Sequence, residues 1–165
     1  MFRSLLMASL ILLGFSLTVI ADSEADRKAI DATLDGVHRH ASTGDWNEYF
    51  DLYTKDAVFM GTDITERWDM PTFMAYAKER PSGWHYWAIE RHVDFTPDGN
   101  SAWFDEILDN EKYGKSRGTG VLVRTQNGWK VAQYHLTFPI PNDIFVEVIK
   151  DIRAFEAKVK TEHKD

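Results

Sequence analysis

The sequence contains no cysteine. That removes disulfide bridges, a thiol nucleophile and thiolate metal ligands, so an oxidising compartment is tolerated without being used. Positive charge is also scarce. Lys and Arg number 19 against 26 Asp and Glu, a formal net charge of −7, and no Lys/Arg-rich run appears. A nucleic-acid partner is excluded on that ground, because phosphate recognition needs a basic footprint. The glycines at 118 and 120 stand in "GTGV", which lacks the third glycine and the strand-turn-helix setting of a dinucleotide site. The serines at 42, 82, 101 and 116 fall at expected turns and outside any nucleophile-elbow motif. His38 and His40 are two apart on an expected helix and diverge; His85 and His92 fall on opposite faces of a regular strand. No metal and no cofactor are expected. Internal repeats, low-complexity tracts and linkers are likewise missing between residues 22 and 165.

What is present is apolar and aromatic. The chain has 165 residues, 44% hydrophobic, with six Trp, six Tyr and ten Phe. That is enough for one domain with a real core, and enough aromatic surface to line an apolar pocket as well. Residues 1–21 differ in kind. Arg3 precedes the apolar run "LLMASLILLGFSLTV", and Val19 and Ala21 occupy the −3 and −1 positions of a cleavage site before Asp22. This is the layout of a secretory signal peptide, which predicts a periplasmic or secreted protein with no membrane attachment after cleavage. The rival is an uncleaved anchor, since Ser4 to Ala21 is just long enough to span a bilayer. No Cys follows the apolar run, so a lipoprotein anchor is closed off.

From Ser23, with Asp26 three residues on, Ile30, Leu34, Val37 and Ala41 recur at helical spacing up to Gly44. Asp45 is placed to cap a second helix presenting Trp46, Tyr49, Phe50 and Tyr53. The stretch "VFMGTD" (58–63) alternates like a strand, and Asp69 with Pro71 announces a third helix. Long strands follow: "WHYWAIERHVDF", "SAWFDEILDN", "SRGTGVLVRT" and "WKVAQYHLTF", with hairpin signals at "TPDGN" and "QNG". From Asp143 a last amphipathic helix carries Phe145, Val148, Ile149, Ile152, Phe155 and Val159 on one stripe, suited to core packing or a dimer contact. Helices first and a meander of strands afterwards predict an α+β fold, a curved antiparallel sheet wrapped over its helices into a cone. The domain division is 1–21, 22–143 and a terminal helix over 144–165.

Alternation along the last strands puts Trp129, Gln133 and His135 on one face, with Arg117 and Thr119, then Trp103 and Asp105, on the matching faces of their strands. If that face lines the cone, the inward polar residues are His135, Asp105, Arg117 and, beside Phe59, Asp63. The chemistry of such a set is usable. His135 or Asp63 would serve as base, Asp105 as its orienting partner and Arg117 as stabiliser of an anion, within apolar walls from Phe59, Trp103, Trp129, Thr119 and Gln133. Each also has an ordinary structural role. A mid-strand His is commonly a hydrogen-bonded structural residue, Asp105 pairs readily with a cross-strand cation, and Asp63 suits a turn. Arg117 starts a strand, and Glu106 and Asp109 suit a solvated sheet face.

The blocks "GDWNEYFDLYTKDAVFMGTD", "NSAWFDE", "RGTGVLV", "GWKVAQYHLTF" and "PIPND" resemble the nuclear transport factor 2-like superfamily in its SnoaL-like branch, over roughly Ala29 to Asp143. The resemblance implies a cone-shaped α+β barrel and a homodimer packed through the sheet. The superfamily includes isomerases, dehydratases, epoxide hydrolases and polyketide cyclases beside non-catalytic binding domains, so fold does not fix activity. Its enzymes place an Asp or His deep in the cone, and His135 and Asp63 match such positions. The resulting expectation is an exported domain binding a small, partly apolar molecule, with cofactor-free isomerase, lyase or hydrolase chemistry. The alternative is a non-catalytic binding or self-association module.

Overall fold

The computed structural model describes residues 23–80 and 83–162. The expected signal segment and the serine at 82 lie outside them. Among the described residues no helix is long and apolar enough to cross a membrane.

Helix α1 (Ser23–Thr43) buries Ile30, Leu34, Val37 and Ala41, the stripe its spacing predicts. It stops at Gly44, whose φ of 71° needs a residue without a Cβ. Helix α2 (Trp46–Asp51) buries Trp46, Tyr49 and Phe50. Asp45 does not cap it; the carboxylate instead accepts from Thr43 Oγ1 at 2.7 Å. Helix α3 (Met70–Lys78) begins as expected, with Asp69 accepting from the Thr72 amide at 2.9 Å and Pro71 in the first turn. The strands are β1 (Tyr53–Met60), β2 (Arg67–Asp69), β3 (Trp87–Phe95), β4 (Ser101–Asp109), β5 (Ser116–Thr125) and β6 (Gly128–Thr137). They form one sheet in the order β2-β1-β6-β5-β4-β3, antiparallel except where β1 runs parallel to β6. The architecture is therefore α+β, with three helices packed on one face of a curved mixed sheet. Each large apolar side chain fully buried between them contributes about 1.5–3 kcal/mol.

Two local departures decide where the polar residues point. Strand β1 ends at Met60, and Gly61 to Glu66 form a turn closed by the Gly61 amide on the Glu66 carbonyl at 2.9 Å. The short strand β2 then returns beside β1, an element the sequence pattern did not announce. The second departure is a β-bulge. Val121 pairs with Gln133 but Leu122 pairs with Val131, leaving Ala132 as one extra residue in β6. Trp129 and Val131 face the helices before the bulge, and Tyr134 takes that role after it. Alternation carried straight from Trp129 to His135 thus assigns the second half of the strand to the wrong face.

Helix α4 (Phe145–Glu162) follows a single 3-10 turn at Asn142–Ile144. Its Phe145, Ile152 and Phe155 are exposed, so the stripe is not part of the core.

Candidate functional site

Between the helices and the inner face of the sheet lies an open cavity of about 480 Å³. Aromatic rings form most of its wall. Phe59 stacks on Phe73 at 3.8 Å between ring centroids and lies nearly parallel to Tyr134 at 5.9 Å, with Trp68, Tyr76 and Trp84 extending the array. The exposed Tyr113 and Phe138 mark the rim; the buried Tyr49 and Tyr134 mark the deep end, beside His38.

The polar centre of this end is Glu106 on β4, a carboxylate with 0% exposure. A buried charge persists only if other groups compensate it, and three side chains do. His38 Nε2 on α1 lies 2.8 Å from Oε1, Tyr134 Oη on β6 donates to the same oxygen at 2.8 Å, and Arg91 Nε on β3 donates to Oε2 at 2.9 Å. Arg91 is itself shared with α1, its Nη1 lying 3.0 Å from Asp35 and 3.2 Å from Asp31. Burial pushes the Glu106 carboxyl upward. The His38 hydrogen bond and charge, the Arg91 charge and the Tyr134 bond outweigh it and hold the group below the ordinary glutamate range. Burial drives the Tyr134 and Tyr49 hydroxyls well above the usual phenol value, so both are neutral donors.

Backbone geometry makes room for this cluster. A Cβ on Gly118 of β5 would stand 2.4 Å from Tyr134 Oη and 3.0 Å from Glu106 Oε1. Only glycine lets the tyrosine hydroxyl reach the carboxylate here.

An ionised Glu106 can only accept, so Nε2 of His38 carries a proton toward it, and in the neutral form of the ring it is Nδ1 that holds the lone pair. Nδ1 has no protein partner among the described residues, and His38 lines the cavity. The arrangement is a base with its tautomer fixed from behind and its reactive nitrogen uncommitted. Nearby, Tyr49 and Tyr53 share one hydrogen bond of 2.7 Å. With Tyr53 as donor, the Tyr49 proton is free for a ligand oxygen. Among the described residues no three His, Asp or Glu side chains stand close enough to hold a metal ion.

The residues singled out from the sequence fall elsewhere, with one exception. Phe59 lines the cavity. Asp63 is exposed in the β1–β2 turn, where its carboxylate accepts from Thr65 Oγ1 at 2.6 Å and the Thr65 amide at 2.8 Å; those bonds hold its pKa down. Asp105, Thr119 and His135 do come together as successive cross-strand partners, but on the sheet face turned away from the helices. Trp103 and Gln133 stand on one neighbouring row of that face and Arg117 on the other, and none of the six lines the cavity. Trp129 is buried at the far end of the core, donating from Nε1 to Asp26 at 3.1 Å under the Arg124 guanidinium. Arg124 holds the Asp26 carboxyl below its usual range.

Glu106, His38, Arg91, Tyr134 and Tyr49 were not among the expected site residues. A signal for Glu106 existed. Ala102, Phe104 and Leu108 alternate with a mixed face in β4, and Glu106 is the one charged residue in that apolar register. His38 carries a weaker one, standing four residues after Leu34 and beside Val37 on the buried flank of α1.

Residues 30–141 match the family model described as the SnoaL-like domain. A search of curated proteins returns no significant match. Among solved structures, the chain is similar to a protein from Streptomyces avermitilis provisionally named a dehydratase of the NTF2-like family. That pair has a TM-score of 0.63 and 13% identity, over 72% of this chain and 99% of the other. A Novosphingobium aromaticivorans protein provisionally named a scytalone dehydratase gives 0.62 at 12% identity over 72% and 87%. Another from that organism, provisionally named an aromatic ring hydroxylase, gives 0.59 at 22% identity over 72% and 92%. At these identities the structures establish a fold shared with proteins named NTF2-like, and the family match covers most of the chain: the protein belongs to the SnoaL-like domain family.

Proposed function

We propose that the domain binds a small, partly apolar molecule in its cavity and performs cofactor-free acid/base chemistry of the isomerase, lyase or hydrolase type on it. The observation that carries this reading is the 2.8 Å contact between His38 Nε2 and the buried Glu106, with Nδ1 left uncommitted in the cavity. His38 takes a proton from the ligand at Nδ1. Glu106 stabilises the imidazolium that forms and keeps the ring oriented, and Tyr49 donates to the oxygen on which negative charge develops. Neighbours named as dehydratases are in keeping with chemistry that needs a base and a donor.

The test begins with a thermal-shift screen of a metabolite library. Hits are then incubated with the protein in heavy water and followed by NMR. Wild type is expected to exchange a ligand C–H for deuterium, His38→Asn to lose about a hundredfold or more of that rate, and His135→Asn to keep it. Equal exchange by wild type and His38→Asn leaves only a binding module.

The reading extends to the whole protein: export with cleavage before Asp22, and a homodimer. Support for the dimer is the apolar content of the outer sheet face, where Trp103 is 49% exposed opposite Val121 and Ile107 stands farther along the same strand. Native mass spectrometry of the exported protein checks both, the expected species being two chains that begin at Asp22. A monomer, or a retained apolar segment, removes the corresponding part.

A further inference from the structure

The wall of the cavity contains one Arg or Lys side chain, Arg80, just beyond the C-terminus of α3. Its guanidinium carbon lies over the Tyr76 ring, 3.5 Å from the centroid, and Nη1 donates to the Tyr76 carbonyl at 2.7 Å. The ring contact and this bond anchor the group, and among the described residues a single one of its five N–H donors is used. No carboxylate stands within ion-pair distance of it among the described residues. That sets it apart from Arg91 and Arg124, each of which is held by acidic side chains. In a chain with seven more negative than positive charges, a half-buried, unneutralised arginine in an aromatic cavity is a conspicuous vacancy for an anion.

The remaining wall supplies the rest of the specificity. Trp68, Phe73, Tyr76 and Trp84 present broad ring surfaces, and Phe73 and Tyr76 are each near parallel to Trp84, at 13° and 18°. Such surfaces favour a flat, unsaturated ligand over a branched aliphatic one. The one carboxylate in the lining, Glu66, belongs to the β1–β2 turn, where it accepts from the Asp63 amide at 3.2 Å. It makes no ion pair with Arg80, and it disfavours a second anionic group on the ligand.

Resting on the function proposed above, we infer that the ligand is a planar aromatic monoanion, an aryl carboxylate or its equivalent, whose acid group is held by Arg80 while its ring lies along the Trp84 wall. Arg80 is then the residue that determines specificity, and His38 remains the group that moves the proton.

The experiment uses two flat probes of nearly equal shape, 2-naphthoate and the neutral 2-naphthylmethanol, and reads quenching of tryptophan fluorescence from Trp68 and Trp84. Wild type is expected to bind the anion about tenfold or more tighter than the alcohol, the span of one charge-assisted hydrogen bond. Arg80→Gln is expected to lose that preference while binding the alcohol unchanged, and His38→Asn to keep it. Equal binding of the two probes by wild type, or a preference surviving in Arg80→Gln, overturns the role of Arg80 and leaves the pocket reading standing. Failure of both probes to bind overturns the pocket reading and the inference with it. Circular dichroism of Arg80→Gln confirms that a lost preference comes from a folded protein.

Discussion

Each face of the sheet carries a carboxylate paired with a histidine, the inner one reached from α1 and the outer one across the strands, and the pairs are alike in composition but not in consequence. On the inner face His38 meets Glu106 at 2.8 Å with the carboxylate wholly buried. On the outer face His92 meets Asp105 at 3.2 Å and Glu90 at 3.0 Å, with all three side chains about half exposed. The inner pair needs Arg91 and Tyr134 to exist at all, since water cannot compensate it. The outer pair needs nothing further, because solvent screens it. A cheap pair is loosely held and weakly directed. The costly one has a fixed geometry, and that makes it suitable for moving a proton.

The sharpest way to break the contrast is to remove each carboxylate in turn. Glu106→Ala leaves Arg91, His38 and Tyr134 buried around a void, and is expected to cost about 3–5 kcal/mol in urea unfolding. Asp105→Ala is expected to fall within about 0.5 kcal/mol of wild type. Similar losses for the two variants would show that the inner network is no more organised than the outer one. A smaller effect comes from neighbours on β5 that face opposite ways. Gly118→Ala drives a methyl against Tyr134 Oη and is expected to cost about 1–3 kcal/mol in thermal or urea denaturation. Thr119→Ala, on the outer face, is expected to cost about 1 kcal/mol or less. An unperturbed Gly118→Ala would mean that the Tyr134–Glu106 contact gives way freely.

The smallest difference is in pH dependence, and the two faces have opposite signs. Glu106 is held below the glutamate range when folded, so its contribution is complete above that range and is lost as pH falls through the depressed value. His92 is raised by its bond to Asp105 and by the charges of Asp105 and Glu90. Its contribution is complete below the ordinary histidine value of about 6.5 and is lost as pH rises through the elevated one. Melting temperatures measured across pH are expected to lose part of the acid limb in Glu106→Gln. They are expected to lose a slight near-neutral decline in His92→Gln, and added salt should erase only the latter. A salt-sensitive acid limb would place Glu106 in contact with solvent.

Much of the architecture was legible because it depends on local rules. The α1 stripe, the glycine that ends it, the Asp69 cap and the tight turns between β3 and β4 and between β5 and β6 are all written in adjacent residues. The site was not, for two physical reasons. Strand parity is a running count, and Ala132 shifts that count at a point where nothing in "WKVAQYH" interrupts the β-forming pattern. The polar centre also draws on α1, β3, β4 and β6, so Glu106 becomes intelligible only once His38, Arg91 and Tyr134 are known to surround it. Asp63 failed more simply: Thr65 two residues later offers both an amide and a hydroxyl, and the turn takes the carboxylate.

The bulge in β6 has a wider meaning for this scaffold. Downstream of Ala132 the strand holds two complete sets of side chains, Tyr134 and Leu136 on one side, Gln133, His135 and Thr137 on the other. Which set reaches the cavity is governed by the phase of the strand and not by the identity of any residue in it. Closing the bulge with Ala132 drawn into the ladder exchanges the sets wholesale, replacing a phenol that braces a carboxylate with an imidazole. A strand of this kind keeps a second, unused wall in reserve, one residue out of step with the wall on display.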